Sequence, residues 1–431
     1  MTVHNKAISI RQVAQQAGVS YQTVSRVINN SPNVSQRTRT HVQHVIDQMG
    51  YRPSNSARAL ATRQSRTIGF IVGGVSYYGP ISTMGAIEEM ARAHGLYVSV
   101  SIVDERECTP RDYQQLSSNM LGLGVDGLIV LAPTQQMFES VLSTPAQVPT
   151  VVLTSSDYGH DVSTLEQPDL WRFVGIDQNE ACQSLLTYLL GLGHRSFWFF
   201  AGPQQWGDAR ARRQAWEERM EQEKLQHPDI SYTVSELESW DAQEAYRAAL
   251  SQFASLPREV MPSAIVAAND LQAFAILKAL YALGINVPHD VSVVGFDDMP
   301  GSDVAIPALT SVNPGFAQLG TQAMLAMMEM LGDEGAAGAA GAAGAASAAS
   351  AASVAGNSES VSGSAESVSG SAESVSGSAE SASGRENSSE SAESDPVAET
   401  AGLAVASGVP QLQLLPAQMV VRDSCSAVSQ R

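Results

Sequence analysis

Cysteine is nearly absent from this chain of 431 residues, and the three present, Cys108, Cys182 and Cys425, stand far apart with no CxxC spacing. That excludes a disulfide framework and a cysteine-based zinc site, and it fits a reducing compartment. Each cysteine reads as a small packing residue. No run of 18 apolar residues occurs, so no membrane span is expected. The opening residues, MTVHNKAISIRQ, lack the apolar stretch of a secretory signal, and a cytoplasmic protein is expected. Enzyme signatures are missing too: there is no GxSxG, no phosphate-binding GxxxxGKS or GxxxxGKT and no HExxH. Neither catalysis nor a cofactor is expected.

Positive charge is also short, with 25 Lys and Arg against 44 Asp and Glu and a net charge of −19. Its distribution says more. Residues 1–66 carry nine basic residues and Asp47 as their only acid, a net of +8, which leaves −27 on the rest. A basic head on an acidic body is the pattern of a nucleic-acid module, because only the head would hold phosphates.

Within that head, Ile8 to Arg26 reads ISIRQVAQQAGVSYQTVSR. Ser9 with Gln12 predicts a capping box. Val13, Ala14 and Ala17 give the apolar stripe of a short helix, and Gly18 permits a tight turn. Ser20 predicts the cap of a second helix, Tyr21 to Ile28, with Val24, Val27 and Ile28 inward and Tyr21, Gln22, Ser25 and Arg26 outward. This is a helix-turn-helix pattern, whose second helix enters the DNA major groove. Gln can bond adenine and Arg guanine. A third helix is predicted from Gln36 to Met49, capped by Ser35 and stopped by Gly50.

The stretch IRQVAQQAGVSYQTVSRVIN, residues 10–29, resembles the DNA-reading segment of the LacI/GalR family. The resemblance implies an α/β protein: a helix-turn-helix headpiece (1–53), a hinge helix and linker (54–66), and a periplasmic-binding-protein-like body of two Rossmann-like subdomains (67–334 and 406–431). It implies a homodimer on palindromic operator DNA, with Tyr21, Gln22 and Arg26 reading bases. Ser20, Thr23, Ser25, Asn29 and Thr38 would contact phosphates. In the hinge, Ala57 and Leu60 would meet the minor groove, with Leu60 as a wedge between base steps. Without the resemblance, that piece reads as a linker too short for a stable helix in water.

From Thr67 onward, strands alternate with helices, which predicts parallel sheets covered on both faces. Strands are expected at 67–72, 97–103, 127–131 and 150–153. The rhythm restarts near Phe173, with strands at 197–200, 264–268 and 291–295. Helices are expected at 84–94, 111–122, 180–192, 209–224 and 270–283, and a Met- and Ala-rich one at 314–331. Residues 335–405 are GAAGAAG and GSAESVS repeats, too poor in apolar residues to offset their ordering entropy, and are read as a disordered insertion in a crossing between the subdomains. A final strand is expected at 420–423.

Ligands of open α/β sheets sit at the carboxyl ends of strands. Candidates there are Arg210, Trp240, Asn269 and Asp297, and also Asp298. Each has a plainer alternative: Arg210 pairing with Asp208, Asn269 capping a helix, the two Asp residues turning a corner, Trp240 packing. The resemblance assigns Arg210, Trp240, Asn269, Asp297 and Phe316 to a sugar effector, expected to be a galactoside. Arg, Asn and Asp would hold hydroxyls, with Trp and Phe as walls. Tyr77, Tyr78 and Thr154 depart from the family pattern and leave open a different sugar, a corepressor or an activator. A sugar-transport protein would fit the body alone, but the basic headpiece opposes it.

Overall fold

The computed structural model describes residues 8–28, 31–51, 64–156, 158–332 and 410–428. The expectations for Asn29, Ala57, Leu60 and the segment 335–405 lie outside the described residues.

The headpiece holds α1 (Ile10–Ala17), α2 (Tyr21–Ile28) and α3 (Gln36–Met49). The Ser9 N–H donates to Gln12 Oε1 at 2.8 Å, and the Ser9 side chain accepts from the Gln12 N–H, completing the capping box. Gly18 ends α1 in the left-handed region at φ 65°. Val13 and Val24 are fully buried against Val42, so three short amphipathic helices close one small core.

In the body, the chain runs β1 (Thr67–Gly73), α4 (Tyr78–Ala93), β2 (Tyr97–Val103), α5 (Pro110–Gly122), β3 (Gly127–Leu131), α6 (Gln135–Leu142), β4 (Thr150–Leu153) and β5 (Trp171–Ile176). It continues through α7 (Gln178–Gly191), β6 (Ser196–Ala201), α8 (Gly207–Gln226), β7 (Ser231–Glu236), α9 (Ala242–Phe253), β8 (Ala264–Ala267), α10 (Asp270–Ala282), β9 (Ser292–Phe296) and β10 (Thr310–Asn313). Last come α11 (Phe316–Met330), β11 (Leu412–Leu415) and β12 (Gln418–Val420). Two six-stranded sheets result, ordered β11-β5-β4-β3-β1-β2 and β12-β10-β9-β8-β6-β7. All pairings are parallel except β10 with β12.

Alternation along the strands feeds a core on each face. Ile68, Phe70 and Val72 pack with α4 and α11, while Ile71 faces α5 and α6. In the second sheet, Phe197 and Phe199 pack with α7 and α8, while Phe200 faces α9 and α10. Strands buried on both faces read as continuous apolar runs, as β3 and β9 do.

Four expectations are corrected. β5 does not open the second half; it pairs with β4 and completes the first sheet. α4 begins at Tyr78, six residues before the expected Met84, because Pro80 falls in its first turn, where no N–H is needed. The final strand ends at Val420, where expectation began it. The segment after Gly332 is not a crossing between subdomains. It joins α11 to β11, and both belong to the first lobe, where Met324, Met327 and Leu415 share one core.

Candidate ligand cleft and DNA-reading helix

On α2, Val24 and Val27 are buried while Tyr21 is 55% exposed, with Gln22 and Arg26 also exposed. The helix therefore presents one polar face with the residue types that read bases. The hydroxyls expected at phosphates have local duties as well. Ser20 Oγ accepts from the Thr23 N–H at 3.1 Å, and the Ser20 and Thr23 hydroxyls lie 3.0 Å apart. The Thr38 hydroxyl lies 2.8 Å from Ser35 Oγ. Ser25 is half-buried. His41 Nε2 lies 3.1 Å from the Ala17 carbonyl, tying α3 to α1.

The cleft lies between the lobes at the carboxyl ends of both sets of strands. One compartment, with about 430 Å³ of open space, is lined by Tyr77 and Phe316 from the first lobe and by Trp240, Asn269, Asp297 and Arg212 from the second. An adjoining compartment of about 440 Å³ is largely apolar, with Pro80, Leu131, Leu153, Ile176 and Leu319 beside Thr154. Trp206 and Asp208 border both.

Each polar group is positioned by its element. Asn269 caps α10, its Oδ1 accepting from the Gln272 N–H at 2.8 Å, so the plain role and the cleft position coexist. Asp297 and Asp298 follow β9 with φ 105° and 48°, a strained backbone for residues with side chains. Their surroundings hold them. The Asp297 N–H donates to the Val312 carbonyl at 2.8 Å, and Asp298 accepts from Arg422 at 2.7 Å and from Asn313 at 3.1 Å. Arg212, 2% exposed, donates through Nε to Gln178 at 2.8 Å and through Nη1 to the Ala268 carbonyl. Its Nη2 lies 3.7 Å from Asp297, and its guanidinium stacks 3.6 Å from the Phe296 ring centroid. Burial pushes the Asp297 carboxyl well above the usual carboxylate range; Arg212 opposes the rise, while Asp270 and Asp208 add to it.

Aromatic rings span the cleft from one lobe to the other. Tyr77, Trp206 and Trp240 form an edge-to-face chain with centroids 5.2 and 5.7 Å apart. Trp240 occupies space that a Cβ on Gly202 would fill, and its loop is fixed by Glu244, which accepts from the Ser239 N–H at 3.0 Å. The Trp240 Nε1 is buried without a partner among the described residues.

Arg210 is the expectation that fails. It does not line either compartment. Its Nη1 donates to Gln135 of the first lobe at 2.9 Å, and its guanidinium lies 4.7 Å from the Tyr158 ring centroid. The reason is helical phase. Ala209, Arg212, Trp216 and Met220 form the buried stripe of α8, and Arg210 sits off it. Trp240, Asn269, Asp297 and Phe316 do come together, with Arg212 in the place expected of Arg210.

Residues 9–54 match a model described as bacterial regulatory proteins, lacI family, and residues 186–340 match a periplasmic binding protein-like domain. The lactose operon repressor of Escherichia coli (strain K12) is 30% identical over 317 residues, covering 73% of this chain and 82% of that protein. The chain belongs to the lacI family of bacterial regulatory proteins. Catabolite control protein A of Priestia megaterium is likewise 30% identical, over 320 residues, 74% of this chain and 90% of its own length. A crystal structure of the lac repressor dimer bound to operator and an anti-inducer shares 28% identity and a TM-score of 0.65, covering 76% of this chain and 94% of its own. For this lacI-family regulator, sequence reading missed Arg212, Trp206 and Asp208. The stripe on α8 held the signal for Arg212. Nothing local marked Trp206, which faces the first lobe only because Gly74, at φ 71°, leaves room for its ring. Among the described residues, no helix is long and apolar enough to cross a membrane.

Proposed function

We propose that this chain is a sugar-responsive transcriptional repressor, acting as a homodimer on a near-palindromic operator and released by an inducer of galactoside type. The observation that carries the reading is the Arg212–Asp297 pair beside Asn269 and Trp240, in a cleft whose walls come from two lobes. Hydroxyl groups pair with guanidinium, carboxylate and amide, while an indole face covers the apolar side of a pyranose. The lactose operon repressor, as a relative, supports a galactoside. Two headpieces would set α2 helices in successive major grooves. A ligand touching both lobes favours one lobe arrangement, and it shifts the equilibrium only by its differential affinity for the two.

A second reading is favoured by Tyr77, Thr154 and the likeness to catabolite control protein A: a regulator answering to another sugar or a corepressor. Fluorescence anisotropy on a lac-type palindromic operator, with lactose, allolactose, galactose and glucose in turn, decides between them. Release by a galactoside supports the first reading. Operator binding that none of these sugars weakens supports the second.

A further inference from the structure

Asp208, the second residue of α8, lines both compartments. Among the described residues its carboxylate has neither an ion pair nor a hydrogen bond. Among the described residues, Arg212 is the one cation lining either compartment, and it is already committed to Asp297, Gln178 and the Ala268 carbonyl. The positive end of α8 would otherwise attract an anion. Here its first N–H is spent on the Pro133 carbonyl at 2.8 Å, and its dipole faces its own Asp208. Beyond Asp208 the space continues between Leu131, Leu153 and Ile176, which offer no charge to a ligand. The unpartnered Trp240 Nε1 is left to donate to a ligand oxygen.

We propose that Asp208 makes this cleft select an uncharged sugar and reject its phosphorylated counterpart. The proposal rests on the sugar-binding reading above and adds the chemical class of the ligand. A phosphate group in either compartment meets a like charge at close range with no spare cation, a penalty paid in a partly dry site. A hydroxyl in the same place would donate to Asp208 instead.

The test is calorimetric titration of the full chain at fixed ionic strength with galactose and galactose 6-phosphate, glucose and glucose 6-phosphate, and lactose. Wild type is compared with Asp208→Asn and Asp208→Ala, with operator binding measured on each to verify folding. The expected wild-type result is binding of a neutral sugar and a preference over its phosphate of about tenfold or more. Either substitution should shrink that ratio by about tenfold. An unchanged ratio in both variants, or a wild type that prefers the phosphate, overturns the role of Asp208 while the sugar reading stands. Operator binding without binding of any of the five sugars in any variant overturns both.

Discussion

Gln22 stands exposed at the front of α2, where a bidentate amide pairs with adenine. Gln22→Ala should cost about 1–3 kcal/mol on the cognate operator and relax preference at a single base pair. Equal losses on every DNA sequence, measured by anisotropy, would remove Gln22 from the readers. Arg212 carries the corresponding load in the cleft. Arg212→Lys keeps the charge but loses the planar fork that reaches Gln178, Ala268 and Asp297 together, so sugar response should vanish while operator binding persists. Asp270 supports the same wall. It accepts from the Ser302 and Ser311 hydroxyls, each at 2.7 Å, and from the Met299 N–H at 2.8 Å. Burial nonetheless pushes its carboxyl up from 3.8 to about 6, against those three bonds. A raised carboxylate favours the folded state below its unfolded value and loses that contribution as pH climbs through the folded one. The stability of wild type relative to Asp270→Asn should therefore fall by about 3 kcal/mol between pH 3.8 and about 6, read by denaturant titration. A flat difference across that window would mean the carboxyl titrates normally. At this scale the sequence was legible where a strand end fixes direction: Asn269 and Asp297 follow strands directly. It was not legible for Arg210 against Arg212, because two positions on one helix differ only in phase, and the phase is set by what Trp216 and Met220 bury.

Elements carry the contact between the lobes. The loop before α6 meets the start of α8: the Gly207 N–H donates to the Pro133 carbonyl at 2.8 Å, and Gln135 accepts from Arg210 at 2.9 Å. Tyr158 lies under the Arg210 guanidinium and donates to Pro133 at 3.2 Å. Arg210 thus straps the two lobes at the rim instead of touching the ligand. A part-buried hydrogen bond with a cation–π contact is worth about 1 kcal/mol, so Arg210→Ala should shift the balance of lobe arrangements about fivefold. The expected reading is a change in the sugar concentration needed to release operator, with the maximal release retained. Complete loss of response would return Arg210 to the ligand site. The strap was invisible in sequence because Gln135 and Arg210 are 75 residues apart and meet only through tertiary folding. The sheets themselves were legible from apolar runs and flanking glycines. The membership of β5 was not, since an apolar strand does not state which neighbour it will pair with.

For the whole molecule, the decisive feature is the return of the chain after the Ser-, Gly-, Ala- and Glu-rich segment. Residues 410–428 add β11 beside β5 and β12 beside β10, one edge strand to each sheet. They also bring Arg422 to Asp298 at 2.7 Å, and Ser424, whose Oγ accepts from the Thr310 N–H at 2.8 Å. The strained corner that presents Asp297 to the cleft is held in part by this last piece. Two cuts should then differ sharply. Deleting 335–405 removes a stretch whose composition cannot form a core, and it rejoins α11 to β11 within one lobe, so operator and sugar binding should survive with a melting temperature within a few degrees of wild type. Ending the chain before residue 410 strips both sheets of an edge, leaves the Thr310 N–H without a partner and Asp298 without Arg422, and should abolish sugar response and cooperative melting of the body. Loss of either binding activity on the internal deletion would show that the segment contributes to the folded body. Full function in the truncated chain would show that Asp297 is positioned without Arg422.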